Sequence, residues 1–297
     1  MARIVTAGVA VIDFLMHLDE MPSRPEKYRA RDAAIVGGGG GANSAVAVAR
    51  LGGEAMLATR LGGDAIGTMI LDGLATESVD CRLIKRFAGR RSSFSSIFID
   101  AAGERQIVNY RDLDMDFGAD WLEEAAVPAF DAALADTRWP QGAAVLMRLA
   151  RARGKPGVID AEAPVTEAAD ALGLCSHAAF SAQGLRDFAG EEALDEALRK
   201  AAARLDAFVC VTDGGRGTFW LEKGGIAHEP APKVTVVDTL GAGDVWHGAF
   251  ALMLGEGKDT RAAIRFANAA ASLKCTRFGG REGAPDRPAV ERLIAGV

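Results

Sequence analysis

Short apolar runs alternate with longer amphipathic stretches along most of this chain. Residues 4–11, mostly Ile, Val and Ala, form the first run and it stops at Asp13. A short apolar run closed by a charge predicts a buried strand. Similar runs at 56–61, 132–136, 157–160, 177–181 and 208–212 predict further strands, and 218–222, 226–229 and 233–237 predict short ones near the end. Helical periodicity fills segments between them, at 42–51, 141–153, 191–205, 244–254, 260–276 and 287–294. Gly52-Gly53 stops the 42–51 helix, and Asp64 is placed to cap a helix running to Leu74.

Repeated strand-then-helix units favour an α/β fold, a doubly wound and mostly parallel sheet with helices on both faces. Two segments break that rhythm. Residues 13–35 are charged and punctuated by proline, and 91–111 read as a β-hairpin turning around 101–104. Both read as a small β appendage inserted into one domain spanning 1–297. That length is compatible with one large α/β domain.

Composition narrows the class. The chain is 49% hydrophobic and 25% charged, a soluble globular balance without bulk disorder. A net charge of -6 argues against a general nucleic-acid footprint. Cys81, Cys175, Cys210 and Cys275 lie far apart, so zinc and redox motifs are excluded and reduced thiols of a cytosolic protein are expected. No apolar run reaches the roughly 18 residues of a membrane span, and the expected location is the cytoplasm. Thirty-five glycines exceed the usual share of about 7%.

Their clustering carries the chemistry. Asp238-Thr239-Leu240-Gly241-Ala242-Gly243-Asp244 follows the predicted strand 233–237 and opens a helix. Small residues there let backbone N–H groups converge on an anion at a helix N-terminus. A carboxylate beside such a nest repels a bound anion, which gives plain binding no use for Asp244. Phosphoryl transfer does use it, as acceptor of the attacking hydroxyl's proton. Read locally, an ordinary Gly-rich turn remains the alternative. Gly37 to Gly41 followed by Ala42-Asn43 is the second cluster. It can be forced onto a dinucleotide-binding pattern, but the first strand lies too far upstream. A backbone that must approach a ligand closely, with the Asn43 amide reading hydroxyls, is the other reading. No P-loop motif occurs.

Together these residues resemble a known family. Gly37 to Asn43, then Ala49-Arg50-Leu51-Gly52 and Gly62-Gly63-Asp64-Ala65-Ile66-Gly67, are similar to the first signature of the ribokinase-like (PfkB) carbohydrate kinases. The stretch from Asp238 to Asp244 resembles their second, and Val211-Thr212-Asp213-Gly214-Gly215-x-Gly217 their nucleotide-contacting turn. The resemblance implies a ribokinase-like fold with a β lid formed by about 13–35 and 91–111. It implies ATP and Mg²⁺ as co-substrate and metal, Asp244 as catalytic base, and an anion hole from Gly241, Ala242 and Gly243. Asp13, Gly38, Gly39 and Asn43 would bind sugar hydroxyls. Thr212, Gly214 and Gly217 would line the ATP site, with Asn268 near the adenine. The family's Asn-x-x-Glu metal motif is missing: Ser181-Ala182-Gln183-Gly184 stands in its place. Asp160 or Glu162 could compensate, and the metal's protein ligands stay unassigned, as does dependence on a monovalent cation.

Finer features resemble the bacterial sulfofructose kinases: Lys27-Tyr28-x-Ala30-Arg31, Val108-Asn109-Tyr110, Ala135-Asp136-x-Arg138-Trp139, residues 176–181, and Leu273-Lys274-Cys275-Thr276-Arg277 with Gly279-Gly280-Arg281. That resemblance implies phosphorylation of the 1-hydroxyl of 6-deoxy-6-sulfofructose. Lys27, Asn109 and Arg138 would then hold the sulfonate, since two cations and an amide suit a three-oxygen anion. Against this, Lys27, Arg29 and Arg31 alternate as the solvated face of a lid strand would, and Arg138 could pair with a surface carboxylate. A fructose phosphate, 2-keto-3-deoxygluconate or a neutral ketose is the alternative substrate. A dinucleotide oxidoreductase and a silent sugar-binding protein are the rival classes. Partners expected are the sugar and ATP, without nucleic acid or membrane, and a homodimer through the lid.

Overall fold

A computed structural model describes residues 1–124 and 127–296. The chain starts with β1 (Arg3–Ala7), then leaves for β2 (Val11–His17) and β3 (Asp32–Gly38). It returns through α1 (Gly40–Arg50), β4 (Glu54–Gly62), α2 (Ala65–Thr76) and β5 (Ile84–Phe87). A second excursion makes β6 (Phe94–Ile99) and β7 (Arg105–Tyr110). Next come α3 (Asp120–Glu124), β8 (Ala132–Asp136), α4 (Pro140–Ala152), β9 (Gly157–Ala161), α5 (Ala169–Leu174) and β10 (His177–Ser181). The chain continues with α6 (Ala182–Ala189), α7 (Leu194–Arg204), β11 (Phe208–Thr212), β12 (Thr218–Glu222) and β13 (Gly225–Glu229). Helices α8 (Ala242–Gly255), α9 (Thr260–Cys275) and α10 (Arg287–Ala295) close it.

Nine strands form one sheet in the order β13-β12-β11-β10-β9-β8-β1-β4-β5, parallel except at its β12 and β13 edge. Alternation sorts side chains to its two faces. On β8, Ala132 and Leu134 join the core formed with α1, α8 and α9, whereas Ala133 and Ala135 join the one under α4, α6 and α7. The second, smaller sheet, β3-β2-β6-β7, stands where the resemblance expects the lid and is termed the lid. Its register aligns Val36, Asp13, Ser95 and Asn109 across the four strands on one face. This architecture is the ribokinase-like doubly wound fold with a small second sheet. Among the described residues, no helix is long and apolar enough to cross a membrane.

Several elements differ from the sequence expectation. The run 4–11 breaks at 8–10, so Asp13 lies inside a lid strand instead of ending β1. Gly8 allows the break, because a Cβ there would fall 2.1 Å from the Asp136 carboxylate. Residues 233–237 form no strand; Val236 and Val237 are each 60% exposed, and Val234 and Val236 line a cavity. Their apolar character serves that cavity and not a sheet. Helix α1 starts earlier than residue 42, inside the glycine run, with Gly39 at φ 93° as its N-cap. Helices α5 and α6 and strand β5 were not marked by the pattern, and β3 was marked only as part of the hairpin-like segment 13–35.

Candidate active site

Two cavities open over the carboxyl-terminal ends of the central strands, where open α/β sheets bind ligands. They share Thr239 and Gly243 in their walls. The first, about 480 Å³, lies beneath the lid and carries carboxylates from Asp13, Asp136, Asp160, Glu162 and Asp244 together with Asn43. The second, about 550 Å³, is bordered by Thr212, Gly214, Gly217, residues 231–234, Val236, Trp246 and Asn268.

The glycine run explains itself in this setting. A Cβ at Gly37 would overlap the Arg281 guanidinium, and one at Gly38 would lie 2.2 Å from Asp13 Oδ2. At Gly41 it would lie 2.8 Å from the Gly8 Cα, where α1 crosses β1. The run therefore lets charged side chains and a neighbouring strand sit against bare backbone. Asp136 ties it in place: its carboxylate accepts from Val9 N at 2.9 Å, Gly41 N at 3.0 Å and Arg138 N at 2.9 Å.

Asp244 sits in the first turn of α8, between the cavities. Asn43 Nδ2 donates to its Oδ2 at 2.7 Å, and Ser44 Oγ donates to its backbone carbonyl at 3.0 Å. Burial, reinforced by nearby Asp160 and only partly offset by the Asn43 bond, pushes its carboxyl up to about 7. A carboxyl titrating there is matched to taking a proton at neutral pH. Asn43 Oδ1 is buried with no partner of its own and faces this cavity wall as a free acceptor.

The turn before α8 needs Gly241 in the left-handed region, at φ 74°. Ala242 N closes the turn on Thr239 O at 3.2 Å, so Ala242 is not one of its free donors, contrary to the sequence expectation. The next N–H of α8 paired back into the turn is Val245 N, on Gly241 O at 3.0 Å. Gly243 and Asp244, ahead of it, are left to meet an anion with the helix dipole behind them. His247, one turn on, is buried with Nδ1 2.8 Å from Gly243 O and Nε2 3.2 Å from Ala179 O, which anchors the turn to β10.

Lys27 and Asn109 are not brought to the cavity wall. Lys27 is exposed on the loop between β2 and β3, and Asn109 is exposed on β7, in the cross-strand row of Asp13. Arg138 is at the wall, with Nη2 donating to Ala163 O at 2.9 Å and 3.4 Å from Glu162 Oε2. Arg105 and Arg111 are there too, and sequence reasoning missed both. Arg105 pairs with Asp238 at 2.8 Å; Arg111 makes no ion pair among the described residues. Asp136 was also unassigned, although an acid ending a wholly buried parallel strand is a signal for a ligand site. Asn268 borders the second cavity with its amide already engaged: Oδ1 accepts from Thr218 Oγ1 and Trp246 Nε1, and Nδ2 donates to Glu229 O. It braces the wall.

The profile of the pfkB family carbohydrate kinases matches residues 1–287. The ribokinase of Bacillus subtilis is 29% identical over 99% of this chain and 100% of its own. A solved structure from Agrobacterium tumefaciens, provisionally named a ribokinase, is 36% identical with a TM-score of 0.91, covering 99% of this chain and 98% of that one. The Arabidopsis thaliana ribokinase, solved with ribose and ATP, is 25% identical with a TM-score of 0.86, over 99% and 98% of the two chains.

Proposed function

Since the chain belongs to the pfkB family of carbohydrate kinases, we propose that it transfers the terminal phosphoryl group of ATP to the 1-hydroxyl of an anionic ketose, 6-deoxy-6-sulfofructose. One observation carries the kinase part. An acid whose carboxyl titrates near 7 stands at the single turn shared by a carboxylate-lined cavity and a second, largely apolar one. Carboxylates and the free Asn43 Oδ1 suit sugar hydroxyls, and apolar walls around Trp246 suit a base.

The sugar O1 attacks Pγ in line. The O1–Pγ bond forms as the bond from Pγ to the β,γ-bridging oxygen breaks, and ADP leaves with that oxygen. Asp244 takes the hydroxyl proton, while the amides of Gly241, Gly243 and Asp244 hold the equatorial oxygens. Asp160 and Glu162, oxygen donors on the wall, fit Mg²⁺ held mainly through water and phosphates. Held there, Mg²⁺ would supply positive charge against the phosphates of the nucleotide.

Arg105, Arg111 and Arg138 on one wall support an anionic substrate, since guanidinium donors match a sulfonate, phosphate or carboxylate. Closing of the lid would carry Lys27 and Asn109 toward the same end of the sugar. The many relatives named ribokinase favour a second reading, a neutral pentose such as ribose. Sugar-dependent ADP release decides between them, assayed with ribose and with ketoses bearing sulfonate, phosphate, carboxylate or hydroxyl at the distal carbon. The sulfonate is expected to give the highest kcat/KM. Ribose or the neutral ketose leading the panel would overturn the anionic reading. The same proposal includes a cytoplasmic location and a homodimer through the lid. Its outer face supports the dimer, exposing Met16, Ile35 and Val108 at 36%, 57% and 60%.

A further inference from the structure

Lys274 on α9 is 0% exposed, a burial lysine tolerates only when paired. It lines neither cavity. Its Nζ donates to Asp238 O at 2.9 Å and stands 3.4 Å from Asp238 Oδ2. Asp238 is itself a hub. Its carboxylate also accepts from Leu240 N at 3.0 Å, Gly279 N at 3.1 Å and the lid's Arg105 at 2.8 Å. The residue that opens the catalytic turn is thus clamped to α9, to the 276–283 loop and to the lid, with the Lys274 amino group at its carbonyl; burial lowers that group's pKa and the Asp238 carboxylate opposes the shift. Without Lys274, that carbonyl and carboxylate oxygen would stay buried and lose their donor, a loss that costs more than the bond itself gains. What the lysine delivers is an ammonium group among oxygen acceptors, and free NH₄⁺ or K⁺ is its nearest soluble equivalent.

We propose that Lys274 is a built-in monovalent cation: its ammonium holds the 238–241 turn so that the amides ahead of α8 point at the transferring phosphoryl group, and turnover needs no cation of this kind from solution. It is a positioning residue, and the proposal rests on the reading of that turn as the anion hole. A structural lysine and a resident cation differ in one respect, which is rescue by ions.

Initial rates and melting temperatures are measured for the wild type and for Lys274→Ala in choline, sodium, potassium and ammonium chloride at constant ionic strength. Wild-type rates are expected to agree within about twofold across the salts. Lys274→Ala is expected to lose at least tenfold in kcat in choline, and to regain severalfold in NH₄Cl or KCl with saturation. Its melting temperature should rise with the same ions, and the wild type's should not. A wild type that requires potassium or ammonium overturns the proposal. So does a variant active in choline, or one whose rate and melting temperature both ignore the ions. Should the alanine variant not fold, the wild-type salt series still decides. Asp244→Asn, whose loss no ion restores, tests the underlying reading separately: activity in that variant would sink the catalytic assignment and leave the ion result standing.

Discussion

At the residue scale the decisive group is Asp244, because its environment sets the pH at which it works. Burial and Asp160 raise its carboxyl to about 7, and a base acts only when deprotonated. The expected kcat/KM therefore rises about tenfold per pH unit below 7 and flattens above it, in a profile taken at saturating Mg·ATP. A rate that stays level down to pH 5 would place the proton elsewhere. The arginines give a second test. A hydrogen bond to a charged group is worth about 1.5–3 kcal/mol, so Arg111→Ala and Arg138→Ala should each raise KM for sulfofructose roughly tenfold to a hundredfold. KM for a neutral ketose should hardly move. Equal losses on both sugars would make these arginines structural, as the Glu162 and Ala163 contacts of Arg138 already allow.

At the scale of elements, the glycines of the 37–41 run act through geometry. Gly41→Ala pushes a methyl against Gly8 where α1 crosses β1, and overpacking of this kind costs about 1–3 kcal/mol. Urea unfolding should show the loss with an unchanged slope. The same elements show what a sequence discloses. β8, β10 and β11 could be placed to the residue, because a buried parallel strand is a short apolar run closed by a polar residue, and so could the antiparallel β12, whose apolar run Phe219–Leu221 ends at Glu222. Residues 233–237 have that pattern and form no strand, because a ligand cavity also asks for apolar side chains. β3 was marked only within the hairpin-like segment: Asp32–Gly38 lies at a lid edge where exposure weakens alternation. The 238–244 turn was legible because its chemistry is local. Arg105, Arg111 and Lys274 acquire meaning only from surroundings distant in the chain, so no local pattern assigns them a role, whereas Asp136 at the end of buried β8 did carry a local signal.

For the whole molecule, the lid links the sugar cavity to the catalytic turn through Arg105 and Asp238. In the proposed mechanism, closure would bring the lid's inner face over the sugar and keep water from the phosphoryl group. Its outer face exposes Ile35 and Val108 in one cross-strand row with Phe14 and Ser96, the surface on which the proposed dimer would form. Val108→Glu should halve the mass seen by light scattering during gel filtration. A wild type that elutes as a monomer would remove the dimer from the account. The central claim is that Asp244 deprotonates a sugar hydroxyl while the adjoining turn receives the phosphoryl group. Sugar-dependent ADP release by Asp244→Asn, with nucleotide affinity followed by calorimetry, tests it most directly. A loss of about 10²–10⁴ in kcat with nucleotide binding kept is expected, and a variant turning over near the wild-type rate would rule Asp244 out as the base.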